Sequence, residues 1–258
     1  MRAVGVHRDA LVITSRLWQT TCTAIRSDSE TLLIDSPYFP DELELLPVLL
    51  EQAGFTPSGL LATHGDWDHL LGRLAFPGMS LGVGQPTAER LRAEPGAAQR
   101  ELRDADAEHY VKRPAPLALG SWQALPVPGF MEFGSATMEL HPAPGHTVDG
   151  MALLVRSMSL LVVGDYLSDV EIPWLSASGS LDDYRATLAR LAPLVERSEI
   201  VVPGHGAPHD RPAALQLMDE DLADLDALER GEERPPLPRG RDTKRQRQIH
   251  AENLARVG

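Results

Sequence analysis

The chain has 258 residues, 43% of them hydrophobic and 24% charged, a globular composition that excludes a disordered or fibrous protein. The 24 Lys and Arg against 37 Asp and Glu give a net charge of −13, which repels phosphate backbones and argues against general nucleic-acid binding. The single cysteine, Cys22, excludes an intramolecular disulfide and argues against a thiolate metal site.

The length suits one domain, or one domain with an appendage. The opening MRAVGVHRDALVITSRLWQ is polar where an export signal needs its apolar stretch. No apolar run reaches the roughly 18 residues that cross a bilayer. A cytoplasmic protein without membrane contact is expected.

Residues 10–16, 20–26 and 30–35 are short, rich in β-branched residues and separated by polar breaks, so they read as strands. Asp41–Gly54 reads as a helix with leucines at 43, 45, 46, 49 and 50 and Gly54 as its stop. Pro47 predicts a late start or a kink there. Gly59–Thr63 is an apolar strand running straight into HGDWDH. Met79–Val83 reads as a further strand. Pro86–Tyr110 reads as two helices broken near Pro95-Gly96.

The second half repeats this order without a repeat in the residues themselves. Trp122–Leu125, Ala136–Pro142, Met151–Val155 and Leu160–Val163 read as strands. Ser180–Val195 is an amphipathic helix with Ser180 as N-cap and Asp182 and Asp183 in its first turn. Glu199–Val202 is a strand ending in PGHG. The tail is acidic over Asp219–Glu233 and basic over Arg234–Arg247. Opposite adjacent charge blocks predict a basic segment that packs on the acidic helix rather than a nucleic-acid arm.

His64, Asp66, Asp68 and His69 fall within six residues at a strand end. Four such groups repel and desolvate one another unless a cation holds them; a solvated polar loop is the plain alternative. His146 in PAPGHT, Asp165 in VVGDY and His205 in VVPGHG extend the set. Imidazole and carboxylate are the ligands of Zn²⁺, Fe and Mn²⁺, and the glycines allow sharp turns.

The segments THGDWDH, PGHT, GD and PGHG, with LLIDSP before them, resemble the metallo-β-lactamase superfamily in order and type. The resemblance covers about the first 210 residues. It implies an α/β, four-layer αβ/βα sandwich over residues 1–210, with residues 211–258 as a C-terminal helical extension packed on the same domain. It also implies two divalent metal ions, with Zn expected and Fe or Mn as alternatives. By the resemblance, His64, Asp66 and His146 hold one ion, Asp68, His69 and His205 hold the second, and Asp165 bridges them. A hydroxide between the ions is the implied nucleophile, and Asp68 the residue that orients it. The family's second motif position is usually His; Asp66 stands there instead, lowers the site charge by one, and leans the first site toward Fe or Mn.

The function expected is metal-dependent hydrolysis of a small ester, thioester, lactone or related substrate. The alternatives are an iron-dependent oxidoreductase of the same fold and a non-catalytic metal-binding or sensor module. Among the remaining candidates, His209 is expected on a surface loop and His141 in a structural role. His7, His109 and His250 are expected at the surface. Tyr166 and Trp174 are expected in the core, and Cys22 in a buried strand. Trp67 is expected either to wall the pocket or to pack beneath its loop. Substrate identity and oligomeric state have no signature in the chain.

Overall fold

The computed structural model describes residues 1–257; Gly258, the last residue of the expected C-terminal extension, lies outside the described residues. The first half holds β1 (Arg2–His7), β2 (Ala10–Thr14), β3 (Thr21–Ser27), β4 (Glu30–Asp35), α1 (Pro40–Gln52), β5 (Gly59–Ala62), α2 (Gly72–Ala75), β6 (Leu81–Gly84), α3 (Gln85–Ala93), α4 (Ala97–Glu108) and β7 (Gln123–Leu125). The second half holds β8 (Gly129–Phe133), β9 (Ala136–Pro142), β10 (Met151–Val155), β11 (Leu160–Val162), α5 (Leu181–Val195), β12 (Ile200–Val202), β13 (His209–Asp210), α6 (Arg211–Glu229) and α7 (Lys244–Val257).

The strands form two sheets, a seven-stranded one ordered β1 to β7 and a six-stranded one ordered β13-β12-β11-β10-β9-β8. Strand alternation then makes three apolar layers. Ala10, Val12, Leu32, Ile34 and Leu61 of the first sheet meet Leu153, Val155, Leu160 and Val162 of the second. On the opposite face of the first sheet, Leu11, Ile13, Leu33 and Leu60 pack on Leu43, Leu46 and Leu50 of α1 and Leu102 of α4. On the outer face of the second, Ala152, Leu154 and Leu161 pack on Leu188 and Leu191 of α5 and Leu217 of α6. Helix, sheet, sheet and helix are the four layers expected.

Several elements differ from expectation. α1 starts at Pro40 and runs through Pro47, because the buried row Leu43, Leu46 and Leu50 fixes the helix on the sheet on both sides of the proline. β1 and β8 are additional strands, each at a sheet edge. Their exposed side chains (four of six residues in β1) carry no apolar alternation to read. His209 lies in the two-residue β13 and is half-buried.

The tail packs through polar groups. Arg241 is 1% exposed and pairs with the buried Asp221 and with Glu220 of α6. His250 is 2% exposed rather than at the surface; its Nδ1 lies 3.1 Å from Asp224 Oδ1 and its Nε2 2.7 Å from the Glu232 carbonyl. The cause is that the buried face of α7 consists of Gln246, Ile249, His250 and Asn253, so most of its buried positions look like solvent positions in the sequence. None of the described helices is long and apolar enough to cross a membrane.

Removing Arg241 leaves Asp221 as a buried, uncompensated carboxylate, a change that usually costs about 3–5 kcal/mol. Arg241→Leu should therefore lower the unfolding free energy by about that amount in a urea titration. A loss no larger than that of Arg239→Leu would show that the pair does not hold the tail.

Candidate metal centre

Strand ends from both sheets meet at one edge. Thr63, at the end of β5, accepts a hydrogen bond from Met151 N at 2.8 Å, and Thr21 N donates to the Gly204 carbonyl at 2.8 Å. These contacts carry the HGDWDH loop, the PGHT turn, the GD turn and the PGHG turn into one place. Asp68 and His69 fall in a short 3₁₀ turn, Trp67–His69, that follows β5.

All seven expected residues come together. His64, Asp66 and His146 form one group, Asp68, His69 and His205 a second, and His64, His69 and Asp165 a third; within each, one ligand atom per residue lies within 4.8 Å of the others. Asp165 lies against imidazoles of both of the first two groups. Its Oδ2 is 3.7 Å from His64 Nε2, 3.2 Å from His146 Nε2 and 3.4 Å from His205 Nε2, while its Oδ1 is 3.2 Å from His69 Nε2.

Each imidazole is held from behind, which fixes its ring and leaves Nε2 toward the cluster. His64 Nδ1 is 3.1 Å from Thr63 Oγ1, His146 Nδ1 2.8 Å from the Trp174 carbonyl, and His205 Nδ1 3.2 Å from the Trp18 carbonyl. His69 Nδ1 is 3.0 Å from Asp35 Oδ2, an ion-pair contact without hydrogen-bond geometry. Asp35 itself has φ +60°, a left-handed backbone costly for a non-glycine residue, and is pinned by Thr63 N at 2.8 Å. Gly204 has a steric role: a Cβ there would collide with Asp165 Oδ1. Gly206, at φ +114°, supplies the turn freedom that the glycines were expected to give.

The electrostatics favour bound positive charge. Burial alone would lower the His146 pKa, but Asp165 and Asp66 outweigh it and raise it to about 9. Burial would likewise lower His205, which Glu171 and Asp165 raise to about 10. His69 rises well above its ordinary value against burial, through Asp165, Asp35 and Asp68. Burial would raise Asp165, yet His205, His69, His64 and His146 hold it well below the carboxylate range. His64 Nε2, His69 Nε2, His146 Nε2 and Asp165 Oδ1 are buried without a hydrogen-bond partner. Unpaired buried polar atoms aimed at one point, of imidazole and carboxylate type, fit divalent metal ions.

Two residues of the site were not legible in the sequence. Arg90 of α3 sets NH2 2.8 Å from Asp66 Oδ1 and NH1 2.9 Å from Asp149 Oδ1. Asp149, buried, also accepts from Gly65 N at 2.8 Å. The guanidinium therefore occupies one oxygen of Asp66, while the other, Oδ2, lies 3.4 Å from His146 Nε2 and 3.7 Å from His64 Nε2. A charge count over the motif alone omits this cation. Arg90 sits in an Ala/Arg/Glu-rich stretch where its neighbour Arg92 is exposed, so composition does not single it out. Asp149, three residues after His146 in a Gly-ended turn, is the signal that was available.

A cavity of about 490 Å³ opens over the cluster, lined among others by Trp18, Asp66, Asp68, His205, Trp174 and Arg245. Trp67 both walls it and packs beneath its loop, with its ring 5.7 Å from Trp18 and 5.5 Å from Tyr38. Trp174 is half-buried and stands in the cavity wall 5.4 Å from His146 rather than in the core. His109 is half-buried, with its ring edge-on to Trp18 at 5.6 Å. Tyr166 is buried as expected, between His146 N and the Ala143 carbonyl at 3.1 Å each. His141 pairs with Glu139 at 3.1 Å, and Cys22 is buried in β3.

The profile of the metallo-beta-lactamase superfamily matches residues 15–205. The chain belongs to this superfamily. Among solved structures it is similar to a metallo-beta-lactamase family protein from Thermus thermophilus, with 19% identity, TM-score 0.70, and 97% of this chain and 92% of that one covered. It is also similar to a metallo-beta-lactamase from Pontibacter korlensis, with 18% identity, TM-score 0.62, and 84% and 98% covered. The DIM-1 metallo-beta-lactamase, in a structure exposed to ceftazidime, gives 17% identity, TM-score 0.62, and 84% and 94% covered. At these identities the likeness is one of fold. No curated protein matches the chain.

Two measurements check the roles assigned by geometry. Asp165→Ala should retain less metal per chain in elemental analysis than His205→Ala, because Asp165 lies against imidazoles of both groups and His205 belongs to one. Two equivalents retained in Asp165→Ala would remove it from the shared position. Arg90→Leu should weaken metal affinity by roughly tenfold or more, the usual effect of losing a group that orients a ligand, in a competition titration with a chromophoric chelator. Arg92→Leu, an exposed neighbour, is the control.

Proposed function

We propose that the protein is a metal-dependent hydrolase acting on a small ester, thioester, lactone or related substrate. The observation that carries this reading is Asp165, one carboxylate between two imidazole–carboxylate groups at the floor of a cavity. On this reading His64, Asp66 and His146 hold one divalent ion, Asp68, His69 and His205 a second, and Asp165 both. When bound, such a pair supplies Lewis acidity toward a substrate oxygen and makes water nucleophilic near neutral pH.

The protein's own groups do the rest. Thr63, Asp35, Trp174 and Trp18 fix the imidazole rings from behind, so the donor set is organised before a ligand arrives. Asp68 is 7% exposed, lines the cavity and sets its Oδ2 3.5 Å from His205 Nε2, where it can accept a hydrogen bond from an attacking water and orient it. Trp18, Trp67 and Trp174 line the cavity; they bind the apolar body of a substrate and keep bulk water from the reacting bond.

Asp66 supports a second reading. A carboxylate in place of an imidazole is a harder ligand and suits iron or manganese, which is the setting for an iron-dependent oxidoreductase. Elemental analysis of protein purified without chelators, paired with a panel of chromogenic esters, thioesters, lactones and phosphodiesters, separates the two. Zinc together with ester, thioester or lactone turnover is expected. Redox-active iron with oxygen consumption and no hydrolysis would replace the first reading by the second. A protein that holds neither metal nor activity would be a non-catalytic module.

A further inference from the structure

The C-terminal helix enters the candidate active site. Arg245, Ile249 and Arg256 of α7 all line the cavity that opens over Asp66, Asp68, Asp165 and His205. At about 100° per residue these three positions share one face of the helix. Arg245 is exposed and stands over the Trp18 ring, 5.7 Å from its centroid. Trp18 in turn touches the metal cluster, since its carbonyl holds His205 Nδ1 at 3.2 Å.

The placement of Trp18 is built. Trp18 and Gln19 have φ values of +50° and +53°, two consecutive non-glycine residues in the left-handed region, a conformation that persists only where the surroundings impose it. Gly206 N, donating to the Gln19 carbonyl at 2.9 Å, and Ser15 N, donating to the Thr20 carbonyl at 2.8 Å, impose it here. The outcome is an indole held between Trp67 and Arg245.

Three other arginines near the cavity have partners. Arg241 pairs with Asp221 and Glu220, Arg247 with Asp242, and Arg90 with Asp66 and Asp149. Arg245 has no carboxylate within 4.0 Å among the described residues and makes no side-chain hydrogen bond there. The carboxylates of the cavity outside the metal groups are Glu94 and Glu101, from the α3–α4 side, and Glu171, beside His205. A ligand spanning the cavity therefore meets an unpartnered guanidinium at the α7 side, whereas the guanidinium at the α3 side, Arg90, is already taken by Asp66 and Asp149.

From this arrangement we infer that the cavity contains an oxyanion subsite, formed by Arg245 over Trp18, with Arg256 adding positive charge about three turns further along the same helix face, for a substrate that carries a carboxylate or phosphate group away from its scissile bond. Arg presents a planar fork of donors that matches either oxyanion and stacks on an aromatic face while doing so. The molecule as a whole, at net charge −13, disfavours the approach of an anion, so a local cationic rim has an effect that a neutral substrate would not need. The inference rests on the hydrolase reading for the word substrate, and on geometry alone for the subsite.

The test uses the full-length, metal-loaded protein. Wild type should hydrolyse 4-nitrophenyl hydrogen glutarate with a higher kcat/KM than 4-nitrophenyl butyrate. Arg245→Ala should cut that preference by about tenfold or more, mainly through KM, with Arg245→Lys restoring part of it. Separately, calorimetric binding of glutarate and of methyl phosphate is compared in wild type, Arg245→Ala and Arg256→Ala at equal metal content, so that anion binding to metal cancels. Weaker binding in the arginine variants supports the subsite, and the tighter of the two anions in wild type identifies its chemistry. Anion binding that depends on Arg245 without turnover of any ester would retain the subsite and refute the hydrolase reading. Equal kcat/KM for the two esters, with anion affinities unchanged in both variants, would overturn the subsite while leaving the hydrolase reading in place.

Discussion

Asp165 is the constraint on which the site depends. A carboxylate enclosed by His64, His69, His146 and His205 is costly to bury unless positive charge accompanies it. Its position also dictates backbone. Gly204 must lack a side chain because the Asp165 carboxylate fills the space a Cβ would take. The PGHG turn is therefore shaped from two directions: by its own need to bend and by the acid opposite. The two sheets meet at this edge through Thr21 and Gly204, and through Met151 and Thr63, so the scaffold and the charge cluster are tied to the same few residues.

Asp66 shows how a change of ligand is accommodated by a neighbour. An aspartate where the family usually has histidine adds a negative charge and a second oxygen. Arg90 takes up that second oxygen and lies against Asp149 as well, so its one positive charge is divided between two acids. The site is left more negative than one with an imidazole, with Arg90 offsetting Asp66 and Asp149 in part. A guanidinium is suited to this because its planar fork can face two carboxylates at once and it stays charged when buried.

The sequence was legible where apolar alternation and strand-end motifs coincide. β2 to β5, β9 to β11 and the seven ligand-type residues all follow from short apolar runs ending in His, Asp or Gly. It was silent where burial is polar or absent. β1 exposes four of its six residues and β8 turns Phe130 outward, so neither edge strand carries an apolar–polar alternation in its residues. α7 buries Gln246, His250 and Asn253, residues whose side chains read as solvated in any pattern based on hydrophobicity. Arg90 was hidden for a related reason: an arginine on a charged helix declares its partner only through the fold, and Asp149 lies 59 residues away.

The polar face of α7 has a consequence for the site itself. Gln246 accepts from Ile172 N at 2.9 Å, and Asn253 accepts from Leu175 N at 2.9 Å and donates to the Pro173 carbonyl at 2.7 Å. These bonds tether the segment between Ile172 and Leu175, which turns Trp174 into the cavity wall and aims its carbonyl at His146 Nδ1. Apolar residues on this face of α7 could pack but could not satisfy those backbone groups, and a loop with unsatisfied backbone would not hold an imidazole in place. The last helix is thus joined to the candidate metal groups through two hydrogen-bonded layers, Gln246 and Asn253 to the loop and the loop to His146. On its neighbouring face it sets Arg245 and Arg256 at the mouth. A segment that looks like an appendage by composition is, by its bonding, part of the wall and of the support of the site.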